Sequence, residues 1–196
     1  MAADPEASAI FNAAMAAKAN GQVAGVLAVY DFSTFGDIAD IGGGRGHLLQ
    51  AILEAVPTAR GVLFDLPRVI EEARSLVSTH MRLLSGDFLK DALPRCDGYI
   101  VMEVIHSFGD PDAVTILRAI RQAAPPKARL LVIEQMIPDN SGPHWAKMLD
   151  IHMLALLGGR QRSRQEYAAL LDRAGFAFQR EIDTRTGVAI LESAAV

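Results

Sequence analysis

The 196-residue sequence is poor in the features that mark secreted, membrane and nucleic-acid-binding chains. It has one cysteine, Cys96, so no internal disulfide can form and a disulfide-stapled scaffold is excluded. No apolar run reaches the roughly 18 residues that a membrane span needs. Lysines and arginines are scattered, with no basic run, and the net charge is −4. That leaves no basic face for nucleic acid. Met1 to Gln22 carries Asp4, Glu6 and Lys18 and lacks a basic start followed by an apolar stretch. No signal peptide is therefore expected, and the cytoplasm is the default location. His47, His80, His144 and His152 share no metal-ligand spacing with cysteines or carboxylates, so no metal is expected. The serine-hydrolase elbow G-x-S-x-G and the P-loop are both absent.

What is present is a globular composition, 51% hydrophobic and 21% charged, on a chain of single-domain length. Ser8 to Val29 is rich in alanine, lacks proline and reads as helix, so residues 1–35 are taken as a helical lead-in to a domain at 36–196. Short apolar runs then alternate with stretches of helical spacing. Strands are expected at 36–41, 60–65, 81–84, 98–103 and 129–134. Helices are expected at 46–56, 67–77, 112–123, 145–157 and 164–174. Phe176 to Ile182 and Gly187 to Glu192 read as a closing antiparallel pair. Such alternation implies an α/β fold, a doubly wound, mostly parallel sheet with one antiparallel strand near the C-terminus. In an open sheet of this kind, ligands bind beyond the carboxyl ends of the strands.

The residues at those ends are chemically suggestive. Asp40-Ile-Gly42-Gly43-Gly44-Arg45-Gly46 follows a strand and opens a helix. Its glycines permit a tight turn and close backbone approach, and the helix start offers free N–H groups. The spacing is G-x-G-x-G, not the dinucleotide G-x-G-x-x-G, which disfavours a nicotinamide dehydrogenase. A nucleoside-type cofactor or a merely tight turn would each explain the loop. Asp65 ends the second strand about 20 residues further on and can accept from both hydroxyls of a ribose. As a bare residue it could equally cap the helix at Pro67. Gly86-Asp87-Phe88 follows the third strand: an acceptor for an adenine amino group beside an aromatic face, or a turn with a core phenylalanine. His106 follows the fourth strand, and its ordinary pKa near ~6.5 suits a general base. Glu134 ends the fifth, where a carboxylate could orient that imidazole or cap a loop. Three motifs in order at successive strand ends favour the cofactor readings.

Taken together, these stretches resemble the catalytic domain of plant- and bacterial-type small-molecule O-methyltransferases. The resemblance runs from Phe11-Asn-Ala-Ala-Met15 and Tyr30-Asp-Phe32 through the glycine loop, Gly61 to Pro67, Gly86 to Phe88, Val104-Ile-His106 and Leu131 to Glu134. It continues at Asp150 to Met153, Gly158-Gly-Arg160 and Ala174-Gly-Phe176, so it covers nearly the whole chain. It implies a Rossmann-like methyltransferase fold that uses S-adenosylmethionine and releases S-adenosylhomocysteine, with no metal. It implies cofactor contacts at Asp40, Gly42, Gly44, Asp65, Leu66, Asp87, Phe88 and Met102. It makes His106 the catalytic base and Glu134 its supporting carboxylate, and lines the acceptor pocket with Met15, Met148 and Met153. The acceptor is then a small phenolic or similar hydroxyl compound.

The sequence departs from that family at four places. Ser107 and Phe108 stand where Asp and Trp usually follow the histidine. Gln161 replaces a second acidic residue after Gly-Gly-Arg. Met102 stands where a lysine often sits. The family's N-terminal helical domain, which dimerises and roofs the pocket, has no counterpart in these residues. With that roof missing, self-association into a homo-oligomer is expected. An alternative follows from the same departures: a chain that binds the cofactor without transferring methyl, or a scaffold turned to decarboxylation or hydroxylation.

Overall fold

The computed structural model describes residues 18–74 and 80–196. The expected helical residues 8–17 and 75–77, and the candidate pocket residue Met15, lie outside them. Residues 18–29 are helical (α1). The strands are β1 (Asp37–Ile41), β2 (Arg60–Asp65), β3 (Met81–Ser85), β4 (Gly98–Met102), β5 (Arg129–Glu134), β6 (Phe176–Asp183) and β7 (Ala189–Ala195). The later helices are α2 (His47–Ala55), α3 (Pro67–Ala73), α4 (Asp110–Ala123), α5 (Trp145–Leu157) and α6 (Arg164–Arg173).

The strands form a sheet in the order β3-β2-β1-β4-β5-β7-β6. β3, β2, β1, β4 and β5 are mutually parallel, and β7 pairs antiparallel with both β5 and β6. β7 is thus the one reversed strand, as the final hairpin pattern implied. Both faces of the sheet are covered, which explains the continuous apolar runs of β1, β4 and β5. Alternate residues serve opposite faces. Ala39, Ile41, Val101 and Val132 pack with Ile116, Leu117 and Ile120 of α4 and Leu170 and Leu171 of α6. Ile38, Leu63, Ile100 and Ile133 pack with Val26 of α1, Leu49 and Ile52 of α2, and Ile70 of α3. Burying each such Leu or Ile contributes about 1.5–3 kcal/mol. Local signals fix the helix ends. α4 starts with Asp110, Pro111 and Asp112, which suit the first turn and its positive dipole end. α6 opens on a full capping box between Ser163 and Glu166.

The strand order places the functional edge. The chain winds outward from β1 to β3, then crosses back to lay β4 on the other side of β1. The segments leaving β1 and β4 therefore diverge, and a crevice opens between them at the carboxyl edge. Among the described residues no helix is long and apolar enough to cross a membrane.

Candidate active site

Two adjoining cavities occupy that crevice, of about 390 and 360 Å³, and Gly42 and Glu103 line both. The first also has Asp65, Leu66, Asp87, Phe88, Val104, Ser107 and Phe108 in its wall. The second is walled by Gln22, Asp40, Gly43, Gly44, His47 and Met102, among others. Every described cofactor candidate thus lines one cavity or the other.

The loop after β1 owes its shape to its backbone conformation. A side chain at Gly44 would meet nothing within 4 Å, but its φ of +60° favours glycine. The Gly44 N–H donates to Asp65 Oδ2 at 2.8 Å, and the Leu66 N–H donates to Asp65 Oδ1 at 2.7 Å. Each oxygen keeps acceptor capacity toward the cavity, where two ribose hydroxyls could be received. Asp87 is more committed. It accepts from the Leu89 N–H at 3.0 Å and pairs with Lys90 at 2.8 Å, and that pairing holds its carboxyl below the usual range. It anchors the turn that presents Phe88, whose ring lies edge-on to Phe108 with centroids 5.7 Å apart.

The second cavity is polar in a different way. Asp40 is 1% exposed, and its Oδ1 has no hydrogen-bond partner. Burial, and then the charge of Asp65, push its carboxyl up to about 7. Gln22 Nε2 is likewise buried and without a partner. Asp40 and Gln22 both line this cavity, and an acid beside an amide fits a ligand end that carries both a cation and an acceptor. The amino-acid end of S-adenosylmethionine has that character, and its adenosine end suits the first cavity.

His106 sits in a single 3-10 turn, Ile105–Ser107, directly after β4. Glu134, fully buried at the end of β5, reaches it twice. Its Oε1 accepts from the His106 backbone N–H at 3.2 Å, and its Oε2 lies 2.9 Å from Nδ1. Gln161 Nε2 is 3.1 Å from the same Nδ1. At 2.9 Å Nδ1 and Glu134 Oε2 are in close contact without an aligned hydrogen bond, and Oε2 has no hydrogen-bond partner; a proton on Nδ1 would satisfy that oxygen and leave Nε2 its lone pair. Nδ1 then cannot also accept from an amide N–H. Rotating the Gln161 amide, whose oxygen is otherwise buried and unpartnered, turns that oxygen toward Nδ1–H and removes the conflict. Burial pulls the His106 pKa down, but the hydrogen bond and charge of Glu134, with the charge of Glu103, outweigh it and leave it raised. His106 is 8% exposed and does not itself line either cavity; its neighbours Val104 and Ser107 do.

Several residues that the sequence does not mark as site residues hold this arrangement. Arg162 is fully buried and donates to the carbonyls of Ile105 at 3.2 Å and Phe108 at 2.8 Å, bracketing the His106 turn. The same guanidinium pairs with Asp110 at 2.8 Å. Gly159 packs so closely that a Cβ there would stand 2.2 Å from the His106 carbonyl oxygen. Glu103 has a φ of +50°, costly for a side-chain-bearing residue, and accepts from Lys18 at 2.8 Å and from Gln135 at 2.7 Å. Burial raises its pKa, but these partners more than offset that and hold it low. No periodicity marks such residues; the only sequence sign is polar side chains in apolar surroundings.

Two of the acceptor-pocket candidates, Met148 and Met153, lie on α5. Met148 is 62% exposed on α5, and neither it nor Met153 lines the two cavities. Among the described residues, no group of His, Cys, Asp and Glu side chains could hold a metal ion.

A doubly wound sheet with a glycine loop, a strand-end aspartate and a crevice at the β1/β4 switch defines a class of proteins that bind nucleoside-type ligands there. More particularly, the chain belongs to the O-methyltransferase domain family, whose model matches residues 1–177. It is 37% identical to a phenazine O-methyltransferase of Lysobacter antibioticus and 39% identical to a mitomycin biosynthesis 6-O-methyltransferase of Streptomyces lavendulae. The matches cover 98% and 94% of this chain, but 58% and 54% of those relatives, so the chain spans little more than half their length. The structure of human N-acetylserotonin methyltransferase in complex with SAM superposes with a TM-score of 0.82 at 30% identity. That match covers 88% of this chain and 51% of the human one.

Proposed function

We propose that this chain binds S-adenosylmethionine across the two joined cavities and methylates a hydroxyl of a small phenolic acceptor in the cytoplasm, with His106 as general base. The cofactor supplies an electrophilic methyl group. Asp65 holds the ribose, Leu66 and Phe88 flank the adenine, and Asp40 takes the amino group. Glu134 keeps the Nδ1 proton in place, so that His106 Nε2 removes the acceptor's proton as the oxygen attacks. Much of the acceleration comes from holding the two reactants in line. The observation that carries this reading is the 2.9 Å contact between His106 Nδ1 and the fully buried Glu134, beside a crevice with an orphaned acid. The relatives named for phenazine and mitomycin chemistry support an aromatic acceptor.

Calorimetric titration with S-adenosylmethionine and, separately, S-adenosylhomocysteine tests the first half. Micromolar binding is expected, weakened about 10- to 100-fold in Asp65→Ala by the loss of charge-assisted hydrogen bonds. A folded chain that binds neither compound would refute it. A second reading, cofactor binding without transfer, is favoured by one feature: an amide, Gln161, rather than a second carboxylate against Nδ1. Methyl transfer by the wild-type chain to any phenol eliminates it.

A further inference from the structure

The residue that follows β4 breaks the pattern of its strand. Val101 packs in the layer of α4 and α6, and Met102 in the layer of α1, α2 and α3. Strict alternation would return Glu103 to the α4 side. Its backbone N–H still donates to the Ile133 carbonyl at 2.9 Å, so it keeps its place beside β5. At a φ of +50°, however, its carboxylate meets Lys18 of α1 instead. Lys127 and Arg185, the other described non-glycine residues with positive φ, sit in tight connections between elements. Strain kept at the lip of a cavity points to a use. Gly42 and Glu103 line both cavities, so Glu103 is the acid at their junction. Its Oε1 accepts from both Lys18 and Gln135, and among the described residues none donates to Oε2. Gln22, whose Nε2 bonds nothing, also stands near, and these neighbours keep the carboxylate charged.

We propose that Glu103 is the counter-charge to the sulfonium of S-adenosylmethionine and makes the crevice prefer that cation to its neutral product, S-adenosylhomocysteine. The inference rests on the cofactor reading above. With adenosine in the first cavity and the amino-acid end in the second, the sulfur that joins them falls at the junction, beside Glu103. The other acids of the crevice are committed elsewhere. Asp87 pairs with Lys90, Asp65 answers to the ribose and Asp40 to the amino group. S-adenosylhomocysteine has the same two ends but no charge at sulfur. A carboxylate at the junction therefore acts on the difference between the two ligands and leaves their shared contacts alone. Lys18 opposes it. Its ammonium pairs with the same carboxylate at 2.8 Å and offsets part of its field. Of the two side chains Lys18 is the more exposed, 38% against 23%, so water screens it more and the junction keeps a negative balance.

Calorimetric titration of the wild-type chain, Glu103→Gln and Lys18→Met with S-adenosylmethionine, S-adenosylhomocysteine and sinefungin tests this. Sinefungin carries an amine-bearing carbon in place of the methylated sulfur, so it reports the charge without the methyl group. Glu103→Gln keeps an acceptor oxygen for Lys18 and Gln135. It is expected to weaken S-adenosylmethionine and sinefungin about 10-fold and to leave S-adenosylhomocysteine within about 2-fold. Lys18→Met frees the carboxylate and is expected to move the ratio the other way, by about 3-fold in favour of the two cations. Should Glu103→Gln misfold by circular dichroism, Lys18→Met, a change at a partly exposed side chain, decides alone. Equal loss of all three ligands in Glu103→Gln would overturn the inference and reduce Glu103 to a brace for its turn. So would a ratio left unchanged by Lys18→Met. Either result leaves the cofactor reading standing. A folded wild-type chain that binds none of the three compounds refutes that reading and the inference with it.

Discussion

The cofactor edge and the catalytic turn lie side by side at the end of one sheet, but they are built from different materials. The edge is mostly backbone: the glycine loop after β1, amide N–H groups donating to Asp65, and strand ends brought level by parallel pairing. The turn is mostly buried side chains. Glu134 and Gln161 face Nδ1, and Arg162 brackets the loop through two carbonyls. Backbone geometry follows from spacing and strand order, whereas a web of buried polar groups holds only if every member finds its partner. The two regions should therefore fail separately.

The largest separation is expected from His106→Ala. Removing the base should cut turnover about 10²-fold or more while leaving S-adenosylmethionine affinity within about 2-fold, checked by single-turnover assay and calorimetry. Equal losses in both would erase the distinction. Arg162→Ala strikes the frame of the turn. It leaves the buried Ile105 carbonyl and the half-buried Phe108 carbonyl without their donor, while the exposed Asp110 carboxylate keeps Arg160 at 3.6 Å, so unfolding by urea should show a loss of about 3 kcal/mol. A loss under about 0.5 kcal/mol, the range of ordinary surface substitutions, would mean that the guanidinium is not a clamp.

The smallest expected effect sharpens the contrast from the cofactor side. Asp40 has a folded-state pKa of about 7, raised from its ordinary 3.8. Between those values the folded chain holds a proton that the unfolded chain has lost, so stability falls as pH rises through this window and levels off above it. Asp40→Asn should remove that slope and stabilise the cofactor-free chain at pH 8, by on the order of 2 kcal/mol. The same variant should bind S-adenosylmethionine more weakly, because the amino group loses its anion. Thermal melts across pH would expose the error if the two proteins kept parallel slopes.

The same division governs how much could be read from the sequence. β2, β5 and α5 coincide with the stretches expected from apolar patterning, because their ends carry strong punctuation such as Pro57, Pro67 and Gly158. The misses are local. α4 begins at Asp110 rather than Asp112, since proline is tolerated in a first turn. β7 runs Ala189–Ala195 rather than 187–192, because Gly187 turns at a φ of +89° and the last small residues pair with both β5 and β6. At the candidate site, the glycine loop, Asp65 and Phe88 are legible because each ends a strand or follows one within a few residues. Glu103 was not, because nothing in its neighbours signals a positive φ, and Arg162 was not, because its partners lie more than 50 residues away in sequence. Met148, expected at the acceptor pocket, is 62% exposed on α5 and lines neither of the two cavities.

The central claim is that Glu134 tunes His106 as a base, and the pH dependence of single turnover at saturating cofactor tests it most directly. Because the His106 pKa is raised, the wild-type rate should climb along a limb centred above pH ~6.5, as the imidazole loses its second proton. Glu134→Gln removes the charge that raises that pKa, so its limb should shift to lower pH and its plateau should fall. A rate flat from about pH 5 to 9, or a limb at the same pH in both proteins, would contradict the account.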